Sequence, residues 1–130
     1  MSIVLDTDHC VSILRGRLQW QGRVASNTPL LITAVTVSEL VFGAHRSERL
    51  AENLALVAEF LEIVTVLPFD TAAAHRHAQL KDILRRAGAP LAELDLQIAS
   101  IALSRGLPLV THNSAHFNRI PGLILVDWLT

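Results

Sequence analysis

Short runs that are apolar at every position alternate along the chain with stretches where apolar residues recur at helical spacing. Ile3 to Leu5 reads as a short buried strand and is followed at once by Asp6-Thr7-Asp8. Val11, Ile13 and Leu14 suit a helix, with Gly16 as its stop. Leu18 to Ala25 fits another helix. Leu30 to Thr33 is a second strand, followed by a helical stretch carrying Val37, Leu40, Val41 and Phe42. From Leu50 to Leu61, Leu50, Leu54, Val57, Ala58 and Leu61 repeat at i, i+4, i+7, i+8 and i+11, the pattern of an amphipathic helix. Ile63 to Leu67 is β-branched and bounded by Pro68, which predicts a third strand. Asp70 or Thr71 caps a helix that runs to Arg86 and ends at Gly88 and Pro90. Leu94 to Leu103 is nearly all apolar, so it is a helix buried on most sides. Leu109 to Thr111 and Leu123 to Val126 are the last two strands.

Strands that are apolar throughout and alternate with helices predict one α/β domain over residues 1–130, with a parallel sheet covered on both faces. No repeat, linker or low-complexity segment interrupts it. The 51% hydrophobic and 18% charged residues fit a folded core rather than disorder. No apolar run approaches the roughly 20 residues that span a bilayer. The first residues lack a basic segment followed by a cleavable apolar stretch, and Cys10 has no intramolecular partner, so a cytoplasmic protein is expected. The net charge of −1 leaves nucleic-acid binding open. Lys81 is the only lysine among eleven basic residues; the rest are arginines, which form bidentate contacts with phosphate and with carboxylate.

In open parallel sheets ligands bind at the carboxyl ends of the strands, and that rule gives the acidic residues meaning. Asp6 follows the first strand directly, Asp8 stands close behind, and Glu39 lies in the helix after the second strand. Asp95 is flanked by Leu94 and Leu96, with Ile98 and Ala99 completing an apolar face, so its charge is costly unless paired. Carboxylate oxygens converging there suit Mg²⁺ or Mn²⁺, which activate water and stabilise a phosphate undergoing displacement. Each acid also has a plainer reading. Asp6 or Asp8 can cap the first helix, Thr36-Val37-Ser38-Glu39 matches a capping box, and a carboxylate in a first turn, as at Asp95, suits the helix dipole.

The ordered set of motifs resembles a known family. Leu5-Asp6-Thr7-Asp8 resembles the opening Asp-Thr-Asn/Asp motif of PIN domains. Val37 to Ala44 looks like their Glu-Leu-x-x-Gly segment, and Leu94 to Ser100 like their Asp-x-x-Ile-Ala segment. Leu109-Val110-Thr111-His112-Asn113, then Phe117, Pro121-Gly122-Leu123 and Asp127-Trp128, resemble the closing stretch of VapC-type toxins. The resemblance implies a three-layer α/β/α fold with a central parallel sheet of four to five strands. It also implies an endoribonuclease dependent on Mg²⁺ or Mn²⁺, with Asp6, Glu39 and Asp95 on the metal. Its expected partners are an RNA substrate, a second copy in a homodimer and a small antitoxin that blocks the site, with no membrane. One departure stands out: Asn113-Ser114-Ala115-His116-Phe117 lacks the carboxylate that many members carry before the phenylalanine. Asn113 is then the residue expected in the polar role, with His116 as a metal or substrate contact or a surface side chain. Glu93 is a secondary carboxylate, since i and i+2 do not share a helix face.

The remaining chemistry is sparse. His75 and His77 face apart on their helix, His9 adjoins the aspartates, and no spacing matches a zinc site, so the histidines are expected in solvent. Cys10 reads as a small core residue. Arg15, Arg17 and Arg46 are candidates for RNA phosphates, or ordinary solvated arginines. Two other functions remain open. The Asp6-x-Asp8 pair also suits a haloacid-dehalogenase-type phosphatase with Asp6 as nucleophile, and the missing acid suits a non-catalytic PIN-like binding domain.

Overall fold

The computed structural model describes residues 2–129. In chain order it contains β1 (Ile3–Leu5), α1 (Thr7–Leu14), β2 (Leu30–Thr33), α2 (Ala34–Arg46) and α3 (Leu50–Ile63). β3 (Val64–Leu67), α4 (Thr71–Arg86), α5 (Glu93–Ser104), β4 (Leu109–Val110), α6 (Ser114–Phe117) and β5 (Leu125–Val126) follow. The five strands form one sheet of order β3-β2-β1-β4-β5, and every neighbouring pair is parallel.

Period-two alternation divides the core. Val4 and Leu31 point to one face, where they meet Leu80 and Leu84 of α4, Leu96, Ile98 and Ile101 of α5, and Phe117. Ile3, Leu5, Leu30 and Ile32 point to the other, against Cys10, Leu40, Val57 and Phe60 of α1, α2 and α3. The result is the expected three-layer α/β/α arrangement. β1 is followed by strands on one side and then, after β3, by strands on the other. The order therefore reverses between β1 and β4, and a crevice opens at their carboxyl ends.

Several local expectations change. Leu18 to Ala25 is not a helix: Leu18 is buried and Trp20 and Val24 pack on the core, but the chain turns between them, with the Arg23 N–H on the Trp20 carbonyl at 3.1 Å and Gly22 at a φ of +88°. α2 begins at Ala34, with the Thr33 hydroxyl accepting from the Thr36 N–H at 3.1 Å. Glu39 therefore lies in the second turn, and the capping-box reading fails. On α3 the buried positions are Val57 and Phe60, whereas Leu50 and Ala58 are exposed. Leu94 is 48% exposed, so Asp95 is apolar on one flank only. Ile63 closes α3, and β4 and β5 are shorter than expected. Asp70 is the cap of α4, its carboxylate accepting from the Ala73 N–H at 2.9 Å.

α6 has no counterpart in the sequence pattern. Its anchor is Phe117, which is fully buried. Phe117→Ala is expected to cost about 3–5 kcal/mol of stability, read as a fall in the urea midpoint; an unchanged midpoint would show that α6 is not held by this ring.

Candidate active site at the carboxyl edge of the sheet

Asp6 is the first residue past β1 and is only 3% exposed. It caps α1: one carboxylate oxygen accepts from the Thr7 N–H at 2.8 Å. The other accepts from the Thr111 hydroxyl at 2.7 Å, and Thr111 stands one residue past β4, across the crevice. Capping and site roles thus coincide in one side chain. Burial is the main reason the Asp6 carboxyl is pushed up to about 6, and the charges of Asp8 and Asp95 add to it. The bonds from Thr111 and Thr7 oppose that rise.

Glu39 reaches the same place from α2, where its carboxylate accepts from the Thr7 hydroxyl at 2.6 Å. That hydroxyl also lies 3.1 Å from the Thr36 hydroxyl, so Thr7 ties the starts of α1 and α2 together. Asp95 enters from the first turn of α5, half-buried. It makes no hydrogen bond or ion pair among the described residues. Burial raises its proton affinity, Glu39 and Asp8 raise it further, and His116 lowers it. Asp6 and Glu39 thus meet through Thr7, Asp95 of α5 lies within the electrostatic reach of both, and His116 of α6 lies within that of Asp95. Among the described residues no three acid, histidine or cysteine side chains are packed closely enough to close on one ion.

Asn113 caps the start of α6, and its N–H donates to the Thr111 hydroxyl at 3.0 Å, so its backbone shares the hydroxyl that holds Asp6. Its side chain is exposed. Glu93 is engaged elsewhere, at 2.6 Å from His77 Nε2 and 3.3 Å from Lys81 Nζ on α4. It braces α5 against α4 and is not part of the acidic group.

The donor chemistry fits a hard divalent cation. Three carboxylates stand around the crevice, Asp95 keeps both oxygens free of protein partners among the described residues, and the proton affinity of Asp6, raised by burial first and by Asp8 and Asp95 after it, is one that a cation would lower.

Comparison with protein families matches residues 3–123 to the PIN domain. The chain belongs to the PIN domain family. It is 37% identical over 130 residues to a protein of Salmonella typhimurium named tRNA(fMet)-specific endonuclease VapC, covering 98% of each chain. It is 30% identical to Ribonuclease VapC2 of Haemophilus influenzae, covering 99% of each. Among solved structures, DNA-bound VapBC from Salmonella typhimurium superposes with a TM-score of 0.91 at 34% identity, over 98% of both chains. VapBC2 from Rickettsia felis bound to a promoter DNA fragment also gives 0.91, at 28% identity, over 98% of this chain and 99% of that one.

The part of this PIN domain least visible in its sequence is the wiring behind Asp8. One Asp8 oxygen lies 2.9 Å from His9 Nδ1 and accepts from the His9 N–H at 2.7 Å; the other accepts from the His112 N–H at 2.9 Å. Burial works against the Asp8 charge, but these bonds outweigh it and hold its carboxyl below the usual range. Both oxygens are spoken for, so Asp8 organises the site's wall. His9 is fully buried rather than in solvent. Its Nε2 accepts from the Trp128 N–H at 3.0 Å, which leaves the ring proton on Nδ1 to donate to Asp8. Asp127 closes the circuit, 2.8 Å from His112 Nδ1 and accepting from the Leu129 N–H at 2.8 Å. Cys10 is buried in the core as expected, and burial pushes its thiol up.

A raised folded-state pKa makes the Asp6 contribution to stability fully present below pH 3.8 and lost as pH rises through about 6. In metal-free protein the stability difference between Asp6→Asn and wild type should therefore shift in favour of Asp6→Asn across that window. The expected size is about 3 kcal/mol, read from urea midpoints at a series of pH values. A pH-independent difference would show that Asp6 is not under strain.

Proposed function

We propose that this PIN domain is a metal-dependent endoribonuclease, the toxin of a toxin–antitoxin pair, acting on RNA phosphodiester bonds through Asp6, Glu39 and Asp95. The observation that carries the reading is the convergence of these three carboxylates from separate elements on the crevice between β1 and β4. PIN-family membership and full-length similarity to proteins named ribonuclease VapC support the activity, and displace the phosphatase alternative.

Asp6, Glu39 and Asp95 would hold Mg²⁺ or Mn²⁺, which when bound supplies an activated water and neutralises charge gathering on the phosphate. The protein's own part is positional. The Thr7 hydroxyl fixes Glu39, the Thr111 hydroxyl and Thr7 N–H fix Asp6, and α5 carries Asp95 in on a rigid helix. Asp6 and Glu39 are thus held by hydrogen bonds, and Asp95, without a partner among the described residues, is the carboxylate that has to move to close on a cation. On the open side Asn113 and His116 project from the α6 segment, and we assign Asn113 to a phosphate oxygen as the polar contact where an acid is absent.

An apolar groove of about 230 Å³ between α1, α2 and α3 is lined by Val11, Leu14, Leu40 and Leu56 and reaches Glu39 at its rim. A segment of the antitoxin seated in it would cover Glu39, which links inhibition to docking. The described VapBC structures pair a chain like this one with a partner, and we extend that partnership, with a homodimer of toxin chains, to this protein. No helix among the described residues is long and apolar enough to cross a membrane.

Freed of antitoxin, the protein should cut RNA with Mg²⁺ or Mn²⁺ and stop with EDTA. Asp6→Asn, Glu39→Gln and Asp95→Asn should each lower the rate by at least about 100-fold while circular dichroism stays native. Asn113→Ala should have a smaller effect, on the order of tenfold. Full activity in all three acid variants would overturn the assignment, and a folded wild type that binds RNA without cutting it would establish a binding domain instead.

A further inference from the structure

The loop between α1 and β2 carries Arg15, Arg17 and Arg23, none of which meets a carboxylate among the described residues, unlike Arg85, Arg86 and Arg105. Arg17, Gln19, Gln21 and Arg23 are exposed. With Trp128 they line an open groove of about 620 Å³. The loop is anchored at both ends of this stretch. Leu18 is buried, and the Arg23 N–H closes a turn on the Trp20 carbonyl at 3.1 Å. Gly22, third in that turn, has a φ of +88°, a conformation that favours glycine. The Arg23 Nε donates to the Gln19 carbonyl at 3.3 Å, and its guanidinium lies 5.6 Å from the centre of the Trp128 ring.

Two guanidinium groups, two primary amides and an indole thus share a groove without a countercharge among the described residues. Its place is fixed relative to the acids, because the Trp128 N–H bonds His9, and His9 bonds Asp8. Guanidinium groups hold phosphates, and bases stack on indole and guanidinium planes with little regard to sequence. A protein of net charge −1 offers a polyanion no long-range attraction, so a local cationic groove has to supply it. Arg46 is differently placed, its guanidinium over Phe42 on α2.

We propose that this groove binds single-stranded RNA flanking the bond to be cut, with Arg17 and Arg23 on phosphates and a base stacked on the Trp128–Arg23 platform. The assignment rests on the ribonuclease reading and gives the substrate a direction, from the acidic crevice toward β5.

The test measures binding apart from cleavage. In a Glu39→Gln background with EDTA, fluorescence polarisation of a labelled single-stranded RNA oligonucleotide is followed across a salt series. Arg17→Ala with Arg23→Ala should weaken binding about tenfold and reduce the slope of log K against log salt by about 1.4, since each single-strand phosphate contact contributes about 0.7. Trp128→Leu should weaken binding by about tenfold with an unchanged slope, and Trp128→Phe, which keeps a ring, should recover part of the loss. Arg85→Ala with Arg86→Ala, on α4, should bind like the parent. Unchanged affinity and slope in the Arg17/Arg23 variant would overturn the proposal, as would lost antitoxin binding with RNA binding intact. If wild type fails to cut RNA while the binding pattern holds, the ribonuclease reading falls and the groove stands. If wild type cuts and the variants bind as the parent does, the groove alone falls.

Discussion

Asp6 is buried at the carboxyl end of β1, within the field of two other aspartates, and the rest of the site is arranged around the cost of that charge. Burying a carboxylate is tolerable only with donors on both oxygens, and the donors come from either side of the crevice: Thr7 in the first turn of α1 and Thr111 beyond β4. The sheet order makes this possible, because β1 and β4 are neighbours that lie 105 residues apart in the chain. Even so, burial and the charges of Asp8 and Asp95 leave Asp6 with a raised proton affinity. A carboxylate raised by burial and by neighbouring charge, beside an Asp95 that has no partner among the described residues, is the electrostatic basis on which we propose a cation site here.

The threonines give the site its rigidity. Thr7 serves Asp6 with its N–H and Glu39 with its hydroxyl, so one residue sets the separation of two carboxylates. Behind this, Asp8 spends both oxygens on His9 and His112, and His9 passes the connection to Trp128. The end of the described chain is thereby fastened to the residues that follow the first strand. That fastening places the Arg17–Arg23 groove in a fixed relation to the acids, with the apolar groove along α1, α2 and α3 meeting the site at Glu39. A substrate path and a docking path can therefore reach one crevice from different sides.

Much of this was legible in the sequence, for physical reasons that differ by residue. Strands buried on both faces show as uninterrupted apolar runs, so β1 and β2 were read to the residue, and Asp6 gained its meaning from standing just past the first of them. Glu39 and Asp95 were singled out by their place in an ordered set of motifs, since neither outweighs a helix-capping or dipole role by itself. His9 was misread as solvated because nothing in local spacing reveals that a backbone N–H from residue 128 will meet its ring; burial of a polar side chain depends on a partner supplied by the fold. The same holds for Asp127 and His112. The Leu18–Ala25 stretch was misread because Trp20 and Val24, four residues apart, are compatible with a helix until the turn at Gly22 is seen. Glu93 looked like a spare ligand and proved to be a brace between α4 and α5.

The most direct test of the central claim is a calorimetric titration of Mn²⁺ into metal-free protein at pH 6, carried out in two buffers of different ionisation enthalpy. If Asp6, Glu39 and Asp95 gather to hold a cation, binding is saturable, releases protons, and disappears in Asp6→Asn. Absence of saturable binding, or binding of equal strength without proton release in Asp6→Asn and Asp95→Asn, would contradict it.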